Sequence, residues 1–360
     1  MSVAENRSGP RRVVVAGALG IVGRSVVEEL AGRPDTEVVG LSRRQPDFET
    51  RARSVSVDLT DPDDCRAKLA DLGATDLVYC ALHGRSSGND TWGEDEEIKA
   101  NARMLENTLD ALEGPRLRHV AVLQGAKAYG CHLEPVPIPG KEQAPRHDHP
   151  NFYWAQEDLI RERAAASHWS WTVFRPQYIV GFSIGSPINI LSPIGVYAAI
   201  CRELGLPLSY PGRTATPTEA TDARLLARAI AWSQDAAGAR NEIFNVTNGD
   251  LFTFPSLLQT AAETFGMALG PDQPQSLQAW MADKGPIWSE IVRKHDLLPY
   301  TLDQLVGPSW AFADAAFSSP APFFESTIKL RQAGFHDCID SNTMVAEWLA
   351  RLQQTRVLPR

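Results

Sequence analysis

Three features of the sequence predict an α/β fold, a doubly wound parallel sheet followed by a smaller, mostly helical C-terminal lobe. Short β-branched runs alternate with amphipathic stretches over the first half of the chain. The links between them are short, as in a parallel sheet whose crossovers are helices. A glycine-rich turn, Gly17-Ala18-Leu19-Gly20-Ile21-Val22-Gly23, joins the first such run to the first amphipathic stretch.

The elements follow in order. Residues 11–17 (RRVVVAG) form a buried strand entering glycines. Residues 21–30 are a helix with Val22, Val26, Val27 and Leu30 on one face. EVVGL (37–41) and SVSVD (54–58) are the second and third strands. Residues 61–72 are helical, their aspartate-rich start suiting the N-terminal dipole. TDLVYCA (75–81) is a strand, 94–112 a long helix and LRHVAVLQ (117–124) a fifth strand. A helix at 151–167 and a strand at WTVFR (171–175) complete the alternation. After Arg202 prolines cluster, then a helix at 223–233, a strand at 242–246 and Trp-bearing helical stretches follow.

Composition narrows the function. At 360 residues and 43% hydrophobic, the chain can build one large core or two modest ones. A net charge of −9 argues against a nucleic-acid partner. Five scattered cysteines with no C-x-x-C pair argue against disulfides and structural zinc, and for a reducing compartment. MSVAENRSGPRR lacks the apolar core of a signal peptide, so a cytoplasmic protein is expected. Residues 176–201 carry no charge and are long enough to span a bilayer. Pro187, Pro193, Gly181, Gly185 and Gly195 would leave backbone groups unpaired in lipid, so the run reads as an apolar pocket wall and no membrane partner is expected.

The glycine turn has the spacing G-x-x-G-x-x-G. Between a strand and a helix, such a turn brings backbone and a helix N-terminus to a pyrophosphate. A dinucleotide site in a Rossmann-type fold is expected there, with Gly17, Leu19, Gly20, Ile21, Val22 and Gly23 in contact. An NAD site wants an acid at the end of the second strand; this chain has Ser42-Arg43-Arg44, whose two guanidiniums suit a 2′-phosphate, so NADPH is the expected cofactor. Asp58 and Leu59 fall beside the adenine. Ala81 and Gln124, at strand ends, fall along the rest of the cofactor. Pro176, Tyr178 and Ile179, after the sixth strand, fall near the nicotinamide. Residues 1–180 then form the NADP(H)-binding core and 181–360 the substrate lobe, with 242–246 returning to the core.

Catalytic residues in open α/β sheets lie at the carboxyl ends of strands. Gln124-Gly125-Ala126-Lys127-Ala128-Tyr129 follows the fifth strand, and Asn151-Phe152-Tyr153-Trp154-Ala155-Gln156-Glu157-Asp158 starts the next helix. Many nicotinamide reductases pair a tyrosine with a lysine four residues later; here that slot is Glu157. The set GALGIVG, SRR, GAKAYG, NFYWAQED, WTVFRPQYIVGFSIGSPIN, NEIFNVTNGDLFTF and the C-terminal AGFHDCIDSNTMVAEWLARLQQTRVLP resembles the progesterone 5β-reductase/iridoid synthase-like family, atypical extended short-chain dehydrogenase/reductases. The resemblance implies a catalytic Tyr153 with Lys127 from the preceding loop. It implies NADPH-dependent 1,4-reduction of a small hydrophobic enone or enal. The family's histidine after the lysine is Ala128 here, and Gly130-Cys131-His132 replaces its usual rim. Lys127 is expected to favour phenolate character in Tyr153 and to hold the nicotinamide ribose.

On the substrate side, Phe182 and Ile188, with Ile190, are expected to face the ligand. Tyr129 reads as pocket rim or as core. Trp288, Trp310, Phe323 and Phe324 are candidates to close the pocket. Cys131 is a candidate reactive thiol. The H-x-H of His147 and His149 lacks a third ligand nearby and reads as a solvated loop, so no metal is expected. A homodimer is compatible with this reading. Two other functions stay open: a carbonyl reductase or sugar-nucleotide epimerase/dehydratase of the same superfamily, and an NADP(H) sensor without turnover.

Overall fold

The computed structural model describes residues 10–84 and 94–360, so most of the polar N-terminal stretch lies outside the described residues. Val13, Val14, Val15 and Ala16 are fully buried. Successive side chains of a strand point to opposite faces. Val13 and Val15 enter one apolar cluster, Val14 and Ala16 another. Both faces of the strand are therefore covered, as its unbroken apolar run requires.

That strand, β1 (Arg11–Ala16), lies inside a sheet built with β2 (Thr36–Ser42), β3 (Arg53–Ser56), β4 (Asp76–Tyr79), β5 (His119–Leu123) and β6 (Ser170–Pro176). A pair of two-residue strands, β7 (Ile179–Val180) and β8 (Thr221–Asp222), stands apart, and β9 (Glu242–Val246) returns to the sheet beside β6. The order is β3-β2-β1-β4-β5-β6-β9, all pairs parallel. The chain winds outward from β1 to β3, then restarts on the other side at β4. This reversal opens a crevice at the carboxyl ends of the strands.

Helices α1 (Ile21–Ala31) and α6 (Ala223–Ser233) pack on one face. Helices α2 (Pro62–Leu69), α3 (Asp95–Leu112) and α4 (Phe152–Ala165) pack on the other. The aspartates expected at the start of α2 act through a cap: Asp61 accepts from the backbone N–H of Asp63 and Asp64, with Pro62 in the first turn. Strand ends differ from the sequence expectation by a residue or two, because pairing with neighbours sets them.

The uncharged run contains an element that periodicity does not reveal. Helix α5 (Leu191–Glu203) is buried at every position from Leu191 to Cys201. A helix enclosed on all sides shows no polar face and hence no amphipathic signal. Pro193 sits in its first turn, where a missing N–H does no harm. A side-chain carbon on Gly195 would come within 2.5 Å of Leu358, so glycine permits the close packing. Among the described residues no helix is long and apolar enough to cross a membrane. Helices α7 (Phe254–Phe265), α8 (Leu277–Met281), α9 (Gly285–Lys294), α10 (Leu302–Leu305), α11 (Ser309–Phe317), α12 (Ile328–Gln332) and α13 (Ser341–Gln354) follow. All but α12 share one apolar core with α5. Trp288 and Trp310 belong to that core rather than to a pocket wall.

One buried polar group couples this fold to pH. His119 on β5 is 2% exposed and lies 2.9 Å from Ser170 Oγ and 3.3 Å from Ser233 Oγ. Burial first, then Arg240 and Arg11, push its imidazole down to about 3. The unfolded chain binds this proton near the ordinary value of 6.5 and the folded chain does not. The stability contribution is therefore intact above 6.5 and lost as pH falls toward 3. His119→Gln should flatten the acid side of the stability–pH curve by up to one proton, about 1.4 kcal/mol per pH unit. Urea unfolding across that range measures it.

Candidate active site

The crevice forms one cavity of about 1520 Å³ that runs from the glycine turn to the ends of β5 and β6. Sterics explain the glycines. Gly17 has φ +77, and a side-chain carbon there would lie 2.8 Å from the backbone of Cys80 and Ala81. On Gly23 it would meet the Gly17 carbonyl at 2.1 Å. The first and last glycines thus let β1, β4 and α1 converge. Gly20 is exposed and caps α1 with no side-chain hydrogen bond; no acid stands in the first helical turn. Such a helix start suits a pyrophosphate.

The other cofactor-side residues gather around the same cavity. Ser42, Arg43, Arg44, Asp58, Leu59, Ala81, Gln124, Pro176, Tyr178 and Ile179 all line it. Arg43 and Arg44 are exposed at the end of β2, and Arg44 Nη2 reaches the Ile184 carbonyl at 3.4 Å. Asp58 accepts from the Thr60 hydroxyl and N–H, which hold its carboxyl below the usual range. Tyr178 adopts φ +35, a left-handed conformation that a bulky residue rarely takes. Such strain, about 1–3 kcal/mol, tends to persist at functional sites.

Tyr153 and Lys127 line the cavity together. Asn151 joins their segments: its Oδ1 caps α4 by accepting from Tyr153 N–H at 3.0 Å, and its Nδ2 donates to the Lys127 carbonyl at 3.2 Å. A side-chain carbon on Gly125 would lie 3.3 Å from the Tyr153 hydroxyl and 3.3 Å from the Pro176 carbonyl. The phenol therefore lies against bare backbone between the ends of β5 and β6. It is 6% exposed, and burial raises its pKa far above the usual value, with Arg175 pulling the other way. The hydroxyl keeps its proton at neutral pH and can donate a hydrogen bond.

Arg175 is the residue that sequence reasoning missed. It is the penultimate residue of β6, within WTVFR, where it reads as one more strand position. In the fold it is 4% exposed. Its Nε donates to Gln124 Oε1 at 2.9 Å and its Nη2 to Glu157 Oε2 at 3.2 Å. Gln124 Nε2 in turn donates to the Tyr153 carbonyl at 3.1 Å. Glu157, in the slot where a lysine is common, also pairs with Arg146 at 3.2 Å and Arg161 at 3.0 Å. The N-cap pattern of Asn151 before an amphipathic stretch could have been read from the sequence; the partners of Arg175 could not.

The substrate-side expectations divide. Ile188 lines the cavity, with Phe323. Tyr129 and Phe182 do not. The Tyr129 hydroxyl donates to Asn245 Oδ1 at 2.6 Å, and its ring lies behind Phe323, centroids 5.6 Å apart. Phe182 neighbours Ser183, whose hydroxyl bonds the Leu19 carbonyl in the cavity wall. Adjacent residues of an extended segment face opposite ways, and Phe182 turns under Arg24, 5.3 Å from its ring. Ile190 is buried in the core, and Phe324 is not part of the lining. Cys131 lines the cavity, but burial pushes its thiol up to about 12, the reverse of a reactive thiolate. His132 also lines it; burial and Lys127 push its imidazole down to about 4, so it is neutral. Among the described residues no three His, Cys, Asp or Glu side chains are grouped to hold a metal.

Comparison with known proteins adds to this geometry. The description "NAD dependent epimerase/dehydratase family" matches residues 13–201. The chain is 33% identical over 375 residues to (S)-8-oxocitronellyl enol synthase CYC1 of Camptotheca acuminata, covering 96% of this chain and 93% of that one. It is 32% identical over 373 residues to (S)-8-oxocitronellyl enol synthase ISY1 of Nepeta cataria, covering 96% and 92%. Among solved structures, Bordetella bronchiseptica WbmH in complex with NAD+ superposes with a TM-score of 0.66 at 16% identity, covering 96% and 99%. A UDP-glucose 4-epimerase of Thermotoga maritima superposes with a TM-score of 0.67 at 13% identity, covering 96% and 99%. At such identities the structural likeness bears on the fold.

The arginine–glutamate cluster yields a stability test. Glu157→Ala removes a buried carboxylate and leaves Arg175 a buried charge without its partner. A loss of about 3–5 kcal/mol is expected, read as a lower urea midpoint at unchanged m-value.

Proposed function

The chain belongs to the NAD dependent epimerase/dehydratase family, in its progesterone 5β-reductase/iridoid synthase-like branch, and we propose that it is an NADPH-dependent ene-reductase. Its substrate on this reading is a small hydrophobic enone or enal. The observation that carries the proposal is the Tyr153 hydroxyl, held against Gly125 in a cavity that continues to the glycine turn. An enol is what remains when the β-carbon of an unsaturated carbonyl gains hydride and its oxygen gains a proton. The relatives are named for forming such a product.

The residues present fit a phosphorylated dinucleotide. Gly17, Gly20 and Gly23 would take the pyrophosphate, Arg43 and Arg44 the 2′-phosphate, and Pro176, Tyr178 and Ile179 the nicotinamide end. When bound, the reduced nicotinamide supplies a hydride. Residues 1–180 would form the cofactor core and 181–360 the substrate lobe.

The chain's own task is charge stabilisation. As the substrate's β-carbon gains hydride, negative charge builds on the carbonyl oxygen, and the protonated Tyr153 hydroxyl donates to it. Arg175 favours negative charge there, and its burial strengthens that effect. Lys127, on the same wall, would hold the nicotinamide ribose and adds positive charge. Apolar groups from Ile188, Phe254, Phe312 and Phe323 exclude water from the reacting face.

The purified protein with NADPH and a panel of enones and enals should consume the reduced nicotinamide and yield the C=C-reduced product. A product reduced only at C=O would overturn the reading in favour of a carbonyl reductase. Tight NADPH binding without turnover of any acceptor would favour a sensor. Tyr153→Phe should lower kcat roughly a hundredfold, the worth of one oxyanion donor; full retained activity would sink its role.

Paired Arg43→Ala and Arg44→Ala changes should weaken NADPH binding at least roughly tenfold and leave NADH nearly unaffected. Equal weakening of both would remove the argument for a 2′-phosphate.

A further inference from the structure

Three carboxyl side chains with no part in the proposed reaction lie buried around the ends of β6 and β9: Glu142, Glu219 and Glu325. Glu142 accepts the Asn245 N–H at 3.0 Å. Glu219 accepts the Glu325 N–H and a bond from Thr247. Glu325 is 6% exposed, and neither carboxyl oxygen has a hydrogen-bond partner. Its backbone cannot easily swing outward. The Gly140 N–H donates to the Phe324 carbonyl at 2.7 Å, and the Ser326 N–H to the Gly140 carbonyl at 2.8 Å.

A buried carboxylate without a donor is far less favourable than the neutral acid. The charged groups facing Glu325 are Glu219 and Glu142, which oppose ionisation, and Arg175, which favours it. Arg175 is already committed to Gln124 and Glu157 and makes no ion pair with Glu325. Beyond Glu142, Lys329 pairs with Glu242. Burial raises the carboxyl of Glu325 well above its ordinary value, and that of Glu219 to about 7. The charge of Glu325 bears on Tyr153, Tyr129 and Cys131, all of which it makes harder to ionise.

We propose that Glu325 is a positioning residue, a buried carboxylic acid without hydrogen-bond donors whose charge bears on Tyr153, and that its ionisation slows the reduction. This rests on the reading of Tyr153 as the oxyanion donor. Arg175, 4% exposed, favours negative charge at Tyr153, and a charge on Glu325 opposes it. A neutral Glu325 leaves the effect of Arg175 intact. An ionised Glu325 opposes it, its proton passing to solvent.

The test is kcat for NADPH-dependent enone reduction from about pH 6 to about pH 10 in the wild type, Glu325→Gln and Glu219→Gln. A unit charge that bears on the phenol from a buried site opposes the oxyanion, so the wild type should fall roughly tenfold through one ionisation as pH rises. Glu325→Gln, the neutral isostere, should keep the neutral-pH rate within about threefold and lack the fall. Glu219→Gln retains the acceptor for the Glu325 N–H but removes a like charge, so the fall should move to lower pH. A fall that persists in Glu325→Gln at the wild-type position, or a wild type that is flat over the range, overturns the proposal. Should Glu325→Gln not fold, a Glu219→Gln profile superimposable on the wild type overturns it. Tyr153→Phe keeps the two readings apart. Full activity there removes the oxyanion role itself, whereas its loss beside an unmoved Glu325→Gln profile removes only the role of Glu325.

Discussion

The site depends on one buried ion pair, Arg175 with Glu157. Arg175 lies near the end of β6, and Glu157 lies on α4 four residues after Tyr153, on the same helical face. Gln124, at the end of β5, closes the arrangement by bonding both Arg175 and the Tyr153 backbone. Two strand ends and a helix are thereby locked in one relative position. A buried pair is a poor source of stability compared with apolar packing. Its directional bonds admit few alternative geometries, though, and an oxyanion donor needs a tolerance of about half an ångström. The position where a lysine is common thus carries the anchor of the helix that presents Tyr153.

The same economy of backbone governs the cofactor end. Gly17 and Gly23 are required because protein atoms crowd them, and Gly20 is open toward the cavity. The two kinds of glycine do different work. The first kind lets α1 start directly beneath β1 and β4, and the second leaves the helix N-terminus accessible to phosphate. Gly125 follows a third logic: its missing side chain makes room for the Tyr153 hydroxyl. The polar chemistry of the site is gathered in places where the chain has removed its own side chains.

Much of the fold was legible in the sequence because parallel strands buried on both faces read as apolar runs, and the helices between them as amphipathic stretches. What periodicity could not show was α5, whose enclosure on every side erases the pattern that marks a helix. That the residues expected on the cofactor side would gather around one cavity was legible for a related reason: they sit at strand ends, and strand ends can be counted. The substrate side was not. Phe182 and Tyr129 occupy plausible positions along the chain, yet one turns under Arg24 and the other stands behind Phe323. Which way a side chain in an irregular segment points depends on neighbours that are distant in sequence.

The sequence by itself determined the sheet, the glycine turn at the mouth of the crevice, the basic pair after β2 and the candidacy of Tyr153 and Lys127. These are local signals, written within a few residues of one another. Only the tertiary structure decided that Arg175 would be buried against Glu157, that Asn151 would join the segments of Tyr153 and Lys127, and that Glu325 would lie without a hydrogen-bond partner close enough for its charge to bear on the phenol. Charge and burial at those positions arise from interactions between residues 18, 24 and 172 apart along the chain (175−157, 151−127 and 325−153). No local pattern encodes such distances, because the free energy of a buried charge is set by everything packed around it.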